Sequence, residues 1–160
     1  YTEYARHAEQ DSLHQQAALL RALAYADGVQ CANCRKAIES LGGRFHSPVV
    51  PHYTMVNTLT HLHHALQAKS ELHEGITEEC LHRAIEENNR YIARLITWCD
   101  ASDIAQIVIL RREIATLDQQ QAEQAPYTVC PTCGAISNEL LHTSYCPHCM
   151  TEREKFLTFK

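Results

Sequence analysis

Two short cysteine motifs constrain this chain more than any other feature. They are Cys130-Pro-Thr-Cys133-Gly and Cys146-Pro-His-Cys149, which together make a C-x2-C-x12-C-x2-C pattern. A C-x2-C turn is tight enough to point two thiolates at one ion, and two such turns complete a tetrahedron. Cys130, Cys133, Cys146 and Cys149 are therefore predicted to hold one metal. Four sulfur ligands suit zinc or a single iron, and the spacing does not choose between them. A pair of disulfides is the competing reading, and this spacing disfavours it.

The other four cysteines, Cys31, Cys34, Cys80 and Cys99, lie inside helical patterns and read as small core residues. Free thiols in that number fit a reducing, cytoplasmic compartment better than a secreted one. The 160 residues carry a net charge of −5 and are 45% hydrophobic. Such a chain can bury a core and has no electrostatic reason to bind nucleic acid or an anionic membrane. It contains no apolar run of the roughly 20 residues that a membrane span needs, and no signal-peptide pattern opens it.

Before residue 125, breakers concentrate at Gly42-Gly43, Pro48 and Pro51. The rest reads as helices, giving an all-α bundle over 1–124 and a cysteine module over 125–160. Residues 1–10 end one helix, and Asp11-Ser12 form a turn and cap. A second helix runs from Leu13 to Leu41 on the stripe Leu20, Leu23, Cys31, Cys34, Ile38, Leu41 and stops at Gly42-Gly43. Thr58 is expected to cap a third, with the stripe Leu59, Leu62, Leu66, Leu72, Ile76, Cys80, Ala84. Asn88-Asn89 turn the chain into a last helix carrying Ile92, Ile96, Cys99, Ile107, Leu110, Ile114 and Leu117. The polar stretch from Asp118 to Gln124 reads as its end and a linker.

The two halves repeat at a constant shift. Ala26-Asp27-Gly28-Val29-Gln30 matches Ser102-Asp103-Ile104-Ala105-Gln106, with 103 − 27 = 76. Two helical hairpins joined by a crossover make a four-helix bundle. Asp27 and Gln30, and again Asp103 and Gln106, stand at i, i+3 on inward stripes, so four polar groups converge near the bundle axis. Buried without partners they would cost about 1–3 kcal/mol each. They form either a hydrogen-bonded network or a metal site. Two carboxylates with neutral amide neighbours make a poor cage for two divalent ions. Lys69, on the inward stripe of the third helix, needs Asp27 or Asp103 as a partner unless it reaches solvent. His61 and His64 share a helix face and read as solvated, and His148, between two ligand cysteines, tunes the site rather than joining it. Tyr91 and Trp98 read as packing residues.

Three segments resemble the rubrerythrin family: Cys146-Pro-His-Cys149-Met-Thr-Glu-Arg-Glu-Lys-Phe156, Gln15 to Ala24, and Ile38-Glu-Ser-Leu-Gly-Gly43. The resemblance implies a ferritin-like four-helix bundle with a small C-terminal rubredoxin-like domain. It implies iron on the four cysteines, with zinc as the alternative. It also implies two irons in the bundle, held by Glu-x-x-His on the second and fourth helices, Glu-x-x-Glu on the third and a Glu on the first. The matching positions here are Asp27-x-x-Gln30, Asp103-x-x-Gln106, and Lys69 with Leu72. The first-helix position falls before Tyr1, so that helix is expected to be cut short. Glu71-Leu-His-Glu74 offers a Glu-x-x-Glu, but Glu71 is about 180° from Leu62 around the helix.

The activity so implied is electron transfer and hydrogen peroxide reduction in oxidative-stress defence, by a homodimer or higher homo-oligomer served by a redox donor protein. Every family ligand position that the chain covers in the bundle is changed, which leaves no catalytic residue assigned. The alternative is a catalytically degenerate member, acting as an electron carrier or an interaction protein with a single four-cysteine metal.

Overall fold

The computed structural model describes residues 1–47, 54, 56–118, 125–137 and 144–160. Pro48, Pro51 and the linker expected over 119–124 lie outside them. The helices are α1 (Thr2–Gln10), α2 (His14–Ser40), α3 (Thr58–Glu71), α4 (Glu78–Glu86) and α5 (Arg90–Asp118). A π-helical segment, Leu72–Thr77, joins α3 to α4, so the expected third helix is one continuous rod with a π turn inside it. Four rods therefore pack together, as the repeat required. Leu19, Leu20, Leu23, Leu62 and Leu110 fill the core between them.

The cap residues are shifted by one from expectation. Asn57, not Thr58, caps α3: its Oδ1 accepts from Thr60 N at 2.9 Å, while Thr58 is buried and donates to Asp11 Oδ2 at 3.4 Å. Leu13 occupies the cap position of α2 and makes no side-chain cap bond; Ser12 takes the left-handed turn before it, at φ 60°. Gly42 closes α2 at φ 77°, with Gly43 N returning to Ile38 O at 2.9 Å. That is the left-handed helix stop that glycine makes easily. Asn89 Oδ1 accepts from Ile92 N at 3.1 Å and opens α5.

Two expected stripes drift off the core, each for a geometric reason. On α2 the inward line advances in steps of seven, Leu23, Gln30, Ala37, all buried. Cys31 and Ile38 stand one residue, about 100°, further round and are exposed; Leu41 is exposed because α2 ends at Ser40, just before it. On the third rod the π turn inserts a residue and rotates everything after it. Thr77 and Ala84 face inward, while Ile76 and Cys80 turn outward. The core reading of Cys31 and Cys80 is thereby corrected. Tyr91 is exposed as well.

Beyond the bundle, β1 (Tyr127–Val129) pairs antiparallel with β2 (Ile136–Ser137) on one side and β3 (Leu157–Phe159) on the other. Tyr127 ties this small sheet to the bundle. Its hydroxyl donates to Glu113 on α5 and accepts from Gln15 Nε2 on α2 at 2.9 Å, and Gln16 Nε2 donates to Glu113 Oε2 at 3.2 Å. Among the described residues, no helix is long and apolar enough to cross a membrane.

Candidate metal centre

The four cysteines converge as their spacing predicts. The first turn is closed by Gly134 N donating to Cys130 O at 3.0 Å, and the second by Met150 N donating to Cys146 O at 3.0 Å. Each turn ends in a left-handed residue, Gly134 at φ 78° and Met150 at φ 62°. Local geometry thus places each pair of sulfurs, and the sheet brings the two turns face to face. All four sulfurs lie within 4.8 Å of one another. Cys130 Sγ is 3.5 Å from Cys149 Sγ, and Cys133 Sγ is 3.6 Å from Cys146 Sγ. An ion held at about 2.3 Å by four thiolates separates them by about 3.7 Å, so the donor set fits one tetrahedral zinc or iron. Cys130, Cys133 and Cys146 are buried and Cys149 is partly exposed.

The first turn also prepares the Cys130 sulfur to be an anion. The Cys133 thiol and the backbone N–H groups of Cys133 and Thr132 hydrogen-bond the Cys130 sulfur, and together they pull it down to about 4. Burial holds Cys146 above its ordinary value despite the N–H groups of Cys149 and His148, and Cys130 together with burial holds Cys133 above its own despite the N–H of Ala135. Hydrogen bonds to the charged form favour the thiolate that binds metal. Trp98 and Phe156 pack on the apolar side of the site. Trp98 Nε1 donates to His148 O at 3.0 Å, so Trp98 braces the second turn as well as packing. The His148 side chain is exposed and is not among the ligands.

The first turn is seated on the bundle at a repeat-related pair of residues, Ala26 and Ser102 (102 − 26 = 76). Ser102 Oγ donates to Gly134 O at 2.9 Å, and Gln106 Nε2 donates to Ser102 Oγ at 3.1 Å. A Cβ on Gly134 would stand 2.8 Å from Ala26 O, so only glycine allows the turn to lie this close. Sequence reasoning missed Ser102 and Gly134. Ser102 had one available signal: it is a buried polar residue replacing the alanine at its repeat position.

Two of the four bundle residues singled out in the sequence, Asp27 and Asp103, come together at Lys69. Lys69 Nζ donates to Asp27 Oδ1 at 2.6 Å and to Asp103 Oδ1 at 3.0 Å. Lys69 is 4% exposed and Asp103 1%. Burial opposes the ammonium charge, but Asp27 and Asp103 outweigh it and hold Lys69 above its ordinary value. Burial holds Asp103 above the usual carboxylate range, with Lys69 pulling the other way. Gln30 and Gln106 are buried one helical turn further along α2 and α5, Gln106 on Ser102 and Gln30 against Gly134. Gln30 Nε2, Gln106 Oε1 and Asp103 Oδ2 have no protein partner among the described residues.

This centre does not fit two irons. Among the described residues its two carboxylates, Asp27 and Asp103, share a resident cation, and the polar residues one turn along, Gln30 and Gln106, are neutral amides. The four cysteines are the one metal-capable group of three or more His, Cys, Asp or Glu among the described residues. Glu71 points outward as expected and accepts from Gln67 Nε2 at 2.8 Å. His61 is a correction: it is fully buried, stacked on Tyr4 at 4.0 Å, with Nε2 accepting from Val56 N at 3.2 Å. Desolvation lowers its pKa and keeps the ring neutral.

The sequence matches no family model and no curated protein. The structure is similar to three solved states of nigerythrin. The fully reduced, all-ferrous state superposes with a TM-score of 0.88 at 18% identity, over 99% of this chain and 77% of that one. The mixed-valence state gives 0.82 at 21% and the partially reduced state 0.82 at 20%, with the same coverage. The chain thus has the fold of nigerythrin, a rubrerythrin, from its first helix through its C-terminal four-cysteine site.

Proposed function

We propose that this chain is a non-haem iron electron carrier with one working metal, on Cys130, Cys133, Cys146 and Cys149, and that its bundle is a scaffold and not a peroxide-reducing di-iron centre. The observation that carries this reading is the Lys69 ammonium between Asp27 and Asp103. A fixed cation at the point where the bundle would gather divalent ions repels them and satisfies the carboxylates that would bind them. The iron states named for nigerythrin support iron over zinc at the cysteine site.

An iron bound there supplies one-electron chemistry between its ferric and ferrous forms. The protein's part is to hold the thiolates fixed and shielded. The N–H groups of Thr132, Cys133, His148 and Cys149 offset sulfur charge without moving. Burial of three of the four cysteines excludes water. The more open Cys149 edge is where a redox donor protein would approach. A reducing cytoplasm, which keeps the remaining cysteines free, is the setting this chemistry needs. Assembly as a homodimer or higher homo-oligomer belongs to the same proposal.

Metal analysis joined to an absorption spectrum tests it. The expected result is one iron per chain, red when oxidised and bleached by one electron equivalent, with no peroxide turnover by a metal in the bundle. Three irons per chain would restore the peroxidase reading. One colourless zinc would leave a structural or interaction role.

A further inference from the structure

The two cysteine turns share a backbone plan and differ in what stands behind them. In the first, Gly134 N donates to Cys130 O at 3.0 Å and Cys130 N to Ala135 O at 2.9 Å. In the second, Met150 N donates to Cys146 O at 3.0 Å and Cys146 N to Thr151 O at 2.7 Å. Gly134 therefore matches Met150, and Ala135 matches Thr151. Met150 is 68% exposed, whereas Gly134 is buried and its oxygen accepts from Ser102 Oγ at 2.9 Å. Ser102 is a polar residue at a fully buried place whose repeat partner is Ala26. Its one proton goes to Gly134 O, and its oxygen accepts from the fully buried Gln106 Nε2 at 3.1 Å. Two core side chains thus end on a single peptide group of the metal site. A hydroxyl that accepts one hydrogen bond donates the next more strongly, and the low dielectric of the interior adds to the effect.

The peptide passes this polarisation on. Among the described residues every peptide bond is trans, and a trans peptide points its C=O and its N–H in opposite directions. Gly134 O faces Ser102 on α5, so the N–H of Ala135 faces away from α5 and back into the turn. There the Cys133 sulfur accepts it. A hydrogen bond to the oxygen of an amide makes its N–H a stronger donor. N–H groups on the sulfurs of an iron site stabilise its more negative, reduced form.

Resting on the one-iron reading above, we infer that Ser102, with Gln106 behind it, is a positioning residue for electron transfer: it holds and polarises the Gly134–Ala135 peptide so that the bundle core favours the ferrous over the ferric state. The bundle then has a use that requires no metal of its own. Its polar interior tunes the site that is seated on it, and it does so through the first turn alone.

The test uses Ser102→Ala in the full chain, which installs the residue found at the repeat position. In the zinc-loaded, nitrogen-15-labelled protein, nuclear magnetic resonance is expected to show the Ala135 amide proton moved upfield and the matching Thr151 amide in place. In the iron-loaded protein, the ferrous-to-ferric ratio at a fixed solution potential is expected to fall about threefold, a lowering of about 30 mV at about 59 mV per tenfold for one electron. Gln106→Met removes only the donor behind Ser102. It is expected to move both readouts the same way by less, and to add nothing in Ser102→Ala protein. Circular dichroism and metal content report whether each variant has folded; if Ser102→Ala has not, Gln106→Met decides by the same readouts. An unmoved Ala135 amide, an equal shift at Thr151, or an unchanged potential would overturn the inference. Whether the isolated chain carries iron or zinc bears on the electron-carrier reading alone, because both metals are loaded in vitro for this test.

Discussion

The cysteine site and the bundle centre are built on the same plan and end with opposite chemistry. Each uses a repeated element to bring like groups together, two C-x2-C turns for four sulfurs and two Asp-x-x-Gln helices for two carboxylates. The cysteine site gathers four ionisable sulfurs, with no ammonium set between them among the described residues. Backbone N–H groups offset part of its charge, and a metal from outside would balance the rest. The bundle gathers two carboxylates and supplies its own ammonium from Lys69. Geometry alone does not make a metal site, since the resident charge decides whether an ion is needed.

Three substitutions separate the two regions, beginning with the largest effect. Cys146→Ser removes a buried ligand. It is expected to lower metal affinity by more than about 100-fold, read by competition with a coloured chelator. The same change should leave the helical circular dichroism of the bundle nearly intact. Joint loss of helix and metal would mean that the two regions fold as one unit.

Lys69→Met strips the cation from two carboxylates. It is expected to cost about 3–5 kcal/mol in urea unfolding at neutral pH, as breaking a buried pair does. The sign with pH follows from Asp103, whose pKa burial already raises. Without the ammonium pulling it down, that carboxyl rises further and folds best protonated. The deficit should therefore shrink as pH falls through its raised value and grow above it. Replacing Asp27, Lys69 and Asp103 together with apolar residues should be far less harmful than Lys69→Met alone. An equal loss in both would give the triad a role beyond charge closure.

Gly134→Ala is the smallest of the three. It places a Cβ 2.8 Å from Ala26 O at a position with φ 78°. The expected cost is about 1–3 kcal/mol, with metal affinity little changed and faster hydrogen exchange at the Ser102–Gly134 contact. A large loss of metal affinity instead would show that the bundle holds the cysteine turns in shape.

The sequence by itself determined the cysteine turns and the run of helices, which depend on a few adjacent residues, though not which residue caps each helix. The C-x2-C turns place their sulfurs through local hydrogen bonds, so Cys130, Cys133, Cys146 and Cys149 were legible from spacing. The four rods followed from helical periodicity and the 76-residue shift, and Lys69 was marked for Asp27 or Asp103 because a buried ammonium must be paired. Only the tertiary structure decided what depends on how helices face one another. It gave Lys69 both carboxylates, rotated Ile76 and Cys80 outward through a π turn, and buried His61 against Tyr4. It also seated Gly134 on Ala26 and Ser102. Those outcomes turn on rotations of about 100° and on the packing of residues distant in the chain, and no short stretch of sequence encodes either.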